Sequence, residues 1–325
     1  MGKLIEVRLV RSLLRNKDAG LVAAAVLLFL IFAVSSDGFL SAYNFKTVSR
    51  NVGFWVIVAL AQAFVVVVGG MNLSVGAIGG LATITTGYLI ERQGLPGTVA
   101  GGAAVLVGIT AGGLNGWIIT KFKINAFVTT LATMFIFTGL VHGISGGYAY
   151  TKIPKEFKFL GQQMFLGISS VFWVMAVVLV IVHVMFNHTV LGRRLLAVGG
   201  NLEASRLSGI NTDRILMAAN LLSGGLAAFA AVLWVSKNGS AQPATGAFWL
   251  LPSFAVAIVG GTSLTGGRIS ALGLLMGGII IVLIRNGLIM LNVNTYYEQT
   301  FLGLIILLAV GVDRVREIYG GKLRG

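Results

Sequence analysis

Ten apolar runs separated by short polar gaps leave this chain few ways to fold. They lie at about 20–36, 52–70, 73–90, 98–120, 125–146, 169–187, 215–236, 251–264, 270–291 and 298–312. Most have the length at which an α-helix crosses the hydrocarbon core of a bilayer. In lipid every backbone N–H and C=O must be paired within its own segment, so such runs form helices and not open sheet. The expectation is an all-α, polytopic membrane protein with about ten transmembrane helices. The runs at 251–264 and 298–312 are short for a span, which suggests tilted or re-entrant helices. The first run does not read as a cleaved leader, because no clean small-residue site follows it and Phe39, Tyr43 and Phe45 come next.

Composition agrees. Hydrophobic residues make up 56% of the 325 and charged residues 10%, whereas a soluble domain carries about 25% charged residues. A surface so poor in charge cannot face water all round, so the lipid bilayer is the first partner the sequence implies. The absence of cysteine excludes disulfides and thiolate chemistry, and the three histidines, His142, His183 and His188, show no ligand spacing.

The net charge of +14 does not point to nucleic acid, because the cations fall in the gaps between apolar runs and not on one soluble face. With the N-terminus inside, inner segments hold Lys3, Arg8, Arg11, Arg15, Lys17, Lys121, Lys123, Arg193, Arg194, Arg206, Arg214, Arg268, Arg314, Arg316, Lys322 and Arg324. Outer segments hold Lys46, Arg50, Arg92, Lys152, Lys155, Lys158 and Lys237. That bias places both termini in the cytoplasm and requires an even number of spans.

Many of the 45 glycines occur in pairs or at small-xxx-small spacing, as in Gly112-Gly113-Leu-Asn-Gly116. In membrane helices this lets backbones approach closely. Two stretches look alike: Val67-Val-Gly-Gly-Met-Asn-Leu-Ser-Val-Gly-Ala77 and Ile258-Val-Gly-Gly-Thr-Ser-Leu-Thr-Gly-Gly-Arg268. Each ends a span on the same side. Asn72, Ser74, Ser263 and Thr265 are placed to cap the helix that follows. Paired interruptions of this kind flank transport paths in other membrane proteins, so these four residues are candidates for a translocation path, and so is Arg285, an ionisable residue inside a span. Snorkelling to the headgroups competes for Arg285.

Gly261-Thr-Ser-Leu-Thr-Gly266 has P-loop spacing, but Gly267-Arg268 stands where Lys-Ser/Thr is required. The chain thus carries no nucleotide site of its own, and no cofactor or catalytic constellation is expected.

A polar, Arg-rich insert at 188–214 separates two apolar runs. Within it, Asn201 is placed to cap a short helix through Ala204, Glu203 to Arg206 lie on that helix, Gly199-Gly200 lets the chain turn into it, and Gly209 ends it. The insert is similar to the cytoplasmic loop of the membrane subunits of ribose-type ABC sugar importers, with Leu191-Gly-Arg193 and Ala197-Val-Gly-Gly-Asn-Leu-Glu-Ala-Ser-Arg-Leu-Ser-Gly-Ile-Asn211 matching LGR…ALGGNxxAARLSGI. The resemblance extends over nearly the whole chain. It continues through Phe39-Leu-Ser-Ala-Tyr-Asn-Phe45, Gly69-Gly-Met-Asn-Leu-Ser-Val-Gly76 against the family's GGIDLSVG, Gly113-Leu-Asn-Gly116, Lys123-Ile-Asn-Ala-Phe-Val-Thr-Thr-Leu-Ala-Thr-Met134, Ser240-Ala-Gln-Pro-Ala-Thr-Gly246 and Val259-Gly-Gly-Thr-Ser-Leu-Thr-Gly-Gly267.

The resemblance implies a single permease domain over 1–325 in the cell inner membrane. It implies a cytoplasmic ATPase subunit that binds the ATP, a second permease copy or a homologous permease, and an extracytoplasmic sugar-binding protein. Gly199, Gly200, Asn201, Glu203, Ala204, Ser205, Arg206 and Gly209 would form the ATPase-coupling segment. Two departures stand out: Asn72 replaces the signature Asp, and Arg285 stands where the family has a small or amide residue. A permease for branched-chain amino acids or nucleosides is the alternative within the same architecture. A stand-alone secondary transporter or channel is disfavoured, because the spans are almost free of carboxylates.

Overall fold

A computed structural model describes residues 17–294 and, beyond them, 297, 299–301, 303, 304, 307 and 311. The run at 298–312 and both charged termini therefore lie largely outside the described residues. The helices are α1 (Lys17–Ser35), α2 (Ala42–Val66), α3 (Val75–Glu91), α4 (Gly97–Phe122), α5 (Ala126–Ser145), α6 (Lys155–Gln162), α7 (Ser170–His188), α8 (Val190–Gly200), α9 (Leu202–Leu207), α10 (Thr212–Asn238), α11 (Leu250–Val259) and α12 (Ala271–Met290). A two-residue antiparallel hairpin, Met164–Phe165 with Ile168–Ser169, is the sole sheet among the described residues.

Among the described residues, six helices are long and apolar enough to cross a membrane: α2, α4, α5, α7, α10 and α12. Ala19–Ser35, α3 and α11 are apolar but shorter. The 251–264 run forms only the ten-residue α11 before Gly260 and Gly261 stop it. The second run, expected from residue 52, begins ten residues earlier, because Ser41 caps α2 by accepting from the Asn44 amide.

α2 is the axis of the fold. Every residue from 52 to 66 is buried, and α3, α7, α10, α11 and α12 pack around it. The tightest helix pair is α4 with α10. A Cβ at Gly108 would sit 2.5 Å from the Gly224 carbonyl oxygen, and one at Gly112 would collide with the carbonyl of Asn220. Backbone-to-backbone contact of this kind gains dispersion energy without any apolar side chain between the helices. The outer faces of α4, α5 and α7 carry exposed Leu106, Phe135, Ile136, Val177, Val180 and Ile181, as lipid-facing surfaces do.

At one end of α2 and α12 the amides of Asn44 and Asn286 exchange hydrogen bonds of 3.1 and 2.7 Å. An apolar cavity of about 380 Å³ lies nearby between α1 and α2, lined by Val26, Phe29, Val52 and Leu283 among others.

Candidate functional site

The coupling segment is built from local rules. Asn201 is extended (φ −160°, ψ 107°) and its Oδ1 accepts from the Ala204 amide at 2.9 Å, which starts α9. Gly209 takes φ +80° and ends the turn, while the Ile210 amide returns to the Ser205 carbonyl at 3.0 Å. Ser205 faces inward, 5% exposed, whereas Glu203, Ala204, Arg206 and Leu207 face outward. Leu207, 88% exposed, is an apolar knob at the tip.

Gly199 and Gly200 have a different role from the one their sequence suggests. Both stay inside α8, and the chain turns at Asn201. Gly199 is needed because a Cβ there would collide with the Val67 carbonyl oxygen and meet the Gly267 amide nitrogen at 2.6 Å. The Gly267 amide donates to that same Val67 carbonyl at 2.8 Å. A Cβ at Gly266 would meet the Gly199 carbonyl oxygen at 2.5 Å and the Gly69 nitrogen at 3.0 Å. Both glycine-rich breaks and the end of α8 thus meet at one backbone junction.

The first break is tied down by a buried polar chain. Asn72 Nδ2 donates to Ser223 Oγ at 2.9 Å, and Asn72 Oδ1 accepts from the Ser74 amide at 2.9 Å and the Ser74 hydroxyl at 2.8 Å. Asn115 Nδ2 donates to Ser74 Oγ at 2.8 Å, and the Leu73 amide donates to Thr130 Oγ1 at 3.1 Å. Asn72 and Ser74 are completely buried, so both face protein, as the cost of an unpaired amide in hydrocarbon demands. They do not cap α3 as the spacing suggests: Ser74 sits at the N-cap position without a side-chain cap bond.

Ser263 and Thr265 cap nothing either. Their hydroxyls pair with each other at 2.8 Å, and Ser270 caps α12 by accepting from the Gly273 amide at 3.0 Å. Arg285 is half-buried, with its guanidinium carbon 4.8 Å from the Trp55 ring centroid. It lies at the end of the bundle opposite the junction, together with Lys237. The candidates named from sequence therefore fall into two groups: Asn72 and Ser74 join the coupling segment's neighbourhood with Ser263 and Thr265, and Arg285 stands apart.

Sequence reasoning missed Asn115, Thr130 and Ser223, the partners of the first break, and Val67 and Gly267, the centre of the junction. Asn115 stands inside the Gly113-Leu-Asn-Gly116 motif, which was the available signal. Ser223, a hydroxyl inside an apolar run, gave none.

Residues 44–310 match the family described as "branched-chain amino acid transport system / permease component". The chain belongs to that permease family. Among its relatives, the ribose import permease protein RbsC of Bacillus subtilis (strain 168) is 35% identical over 293 residues, covering 90% of this chain and 91% of the relative. RbsC of Haemophilus influenzae is 32% identical over 294 residues, covering 89% and 91%. The L-arabinose transport system permease protein AraH of Escherichia coli (strain K12) is 33% identical over 307 residues, covering 92% and 90%. No solved structure matches the chain significantly. Near-complete coverage of permeases of this family accords with the six apolar helices and makes this chain a multi-pass permease.

Proposed function

We propose that this permease is the membrane subunit of an ATP-driven importer for a monosaccharide-type substrate. The observation that carries the reading is the end-to-end similarity to permeases named for ribose and arabinose. The family as a whole is named for branched-chain amino acids, and the sugar reading is preferred because named relatives covering about nine-tenths of the chain are sugar permeases.

With the apolar run at 298–312 counted from the sequence, the six long apolar helices and three shorter ones among the described residues support a reading of about ten membrane-embedded segments. Lys121, Lys123, the α8–α9 insert and Arg268 share one end of the bundle, where Lys123 pairs with Asp213 at 2.7 Å. The excess of Lys and Arg makes that end cytoplasmic. The partners are a cytoplasmic ATPase that binds the ATP, a second permease copy or a homologue, and an extracytoplasmic sugar-binding protein. The chain itself holds no cofactor.

The mechanism is alternating access. A partner changes the equilibrium between two states only through contacts that differ between them. An ATPase bound at Glu203, Ala204, Arg206 and Leu207 would make such contacts. Its motion would pass through α8 to Gly199 and from there to Val67, which ends α2, and to Gly267, in the loop between α11 and α12.

The experiment is reconstitution with an ABC ATPase and a sugar-binding protein from the same organism, followed by uptake of a pentose and hexose panel. ATP-dependent uptake of at least one sugar is expected. Uptake of a branched-chain amino acid instead, or uptake that persists without ATP, would overturn the reading.

A further inference from the structure

The cavity between α1 and α2 has no part in the transport reading. It measures about 380 Å³ and is walled by α1, α2, the start of α7 and α12. Every lining side chain is apolar except Asn44 and Ser49, and those two are already committed. Asn44 Nδ2 donates to the Phe39 carbonyl at 2.9 Å and to Asn286 Oδ1, and its Oδ1 accepts from Asn286 Nδ2. Ser49 Oγ donates to the Lys46 carbonyl at 3.0 Å and accepts from the Ser169 amide at 3.3 Å. A buried water needs about two to four polar partners, and this wall has none to spare. Left empty, its atoms would lack dispersion contacts on one side. Such walls suit hydrocarbon.

The walls agree on depth. The Val67 end of α2 meets the junction beside the coupling segment, so the Asn44 end points the other way. α2 lines the cavity from Asn44 to Val52, about 12 Å of helix. α12 lines it from Leu283 back to Met276, and α1 from Phe29 back to Val22. With the coupling end cytoplasmic, the cavity runs from the outer surface toward the bilayer midplane. One leaflet of hydrocarbon is about 15 Å deep.

The cavity also opens sideways. Val26 and Phe29 of α1 and Phe45 of α2 line it and are exposed, so a chain can enter from the bilayer between the two helices. On the same outer stretch of α2, Lys46 and Arg50 have no ion-pair partner among the described residues, and the buried Arg50 Nε has no hydrogen-bond partner. Cations so placed suit a phosphate, to which charge-assisted hydrogen bonds are short and strong.

We propose that this cavity binds one acyl chain of an outer-leaflet phospholipid, with the phosphate at Lys46 and Arg50 and the methyl end at the level of Val52 and Met276. The bound chain completes the packing of α1, which otherwise leans on α12. The choice of leaflet rests on the permease reading above, which makes the coupling end cytoplasmic.

The protein is placed in phosphatidylglycerol nanodiscs doped with phosphatidylglycerol that carries a diazirine on one acyl chain, either beside the ester or at the methyl end. After irradiation, labelled residues are located by peptide mass spectrometry. The methyl-end probe should label Val52 and Met276, and the ester-side probe Phe45 and Ile168. Val52 is 2% exposed, so a label there reports entry into the cavity. Leu106 and Val180, exposed on α4 and α7, report bulk lipid. Ala25→Phe puts a ring into the cavity and should abolish labelling at Val52 and Met276 while Leu106 and Val180 stay labelled. Ile279→Phe fills the same space from α12 and replaces the first variant if size-exclusion shows that one misfolded.

Silence at Val52 and Met276, with Leu106 and Val180 labelled, would overturn the proposal. Labelling at Val52 and Met276 that survives both filling variants would do the same, and so would the ester-side probe marking Val52 while the methyl-end probe marks Phe45. A further arm carries p-benzoylphenylalanine at Val48. A crosslink from it to residues 298–312 or to a second chain, in place of lipid, assigns the space to protein and also overturns the site. Labelling needs no transport: sugar uptake with an unlabelled cavity would sink this site alone, and a labelled cavity in a protein that imports no sugar would sink the permease reading alone.

Discussion

The carbonyl oxygen of Val67 accepts a hydrogen bond from the Gly267 amide at 2.8 Å, and Gly199 closes over the same oxygen with no room for a side chain. A methyl group added at Gly199 has to displace backbone, because its nearest neighbours are main-chain atoms and not flexible side-chain ends. Gly199→Ala should therefore open the junction. The expected outcome is a loss of stability of about 1–3 kcal/mol, seen as a lower melting temperature, together with uptake reduced more than ATPase binding. Gly200→Ala, which has open space around it, serves as the control and should behave like the parent in both assays.

The buried chain at the first break predicts different fates for two substitutions. Asn72→Leu leaves the Ser223 hydroxyl and the Ser74 amide and hydroxyl short of partners and should cost about 1–3 kcal/mol per group left unsatisfied. Asn72→Asp keeps the acceptor toward Ser74, and the Ser223 hydroxyl can turn round and donate. That variant should fold normally and change the uptake rate or its sugar preference. Indistinguishable uptake across several sugars would remove Asn72 from the path and leave it as structural support.

Coupling should depend on the outward face of α9 and not on its inward residue. Ala204→Trp with Arg206→Glu should abolish ATP-driven uptake while the protein still inserts and extracts as the parent does. Asn201→Ala removes the cap and should weaken α9 by about 1 kcal/mol, reducing uptake partially. Normal uptake by the double variant would exclude α9 as the docking element.

Sidedness is testable in this cysteine-free chain. Ser205 is 5% exposed and makes a poor label site, whereas Leu207 is 88% exposed. Leu207→Cys should react with a membrane-impermeant maleimide only in inverted vesicles. Reaction in intact cells would reverse the topology.

The Lys123–Asp213 pair, with side chains 59% and 47% exposed, should matter little. Lys123→Ala is expected to shift stability by no more than about 1 kcal/mol, and less at high salt.

Helix existence was legible because lipid enforces it: a run of apolar residues with no carboxylate has one backbone solution. Asn201 and Gly209 were legible because caps and left-handed ends are set within four residues. The errors share one cause. Gly199 reads locally as a turn residue, yet its requirement comes from Val67 and Gly267, far away in sequence. Ser263 and Thr265 read as caps, yet Ser270 is nearer to the true helix start. Lys237 reads as one topology charge among seven, and only packing shows it held against Trp234 and Asn51. Contacts between distant segments leave no local periodicity to read.

The complete burial of α2 bears on how the protein is made. This helix emerges early from the ribosome, but α7, α10, α11 and α12, which form most of its sheath, are synthesised after it. Until residue 290 has been inserted, α2 has lipid where it will later have protein, with Gln62, an amide completely buried in the finished fold, turned toward acyl chains. Biogenesis must hold that helix in a provisional state, and its enclosure waits on helices that lie more than a hundred residues further along the chain.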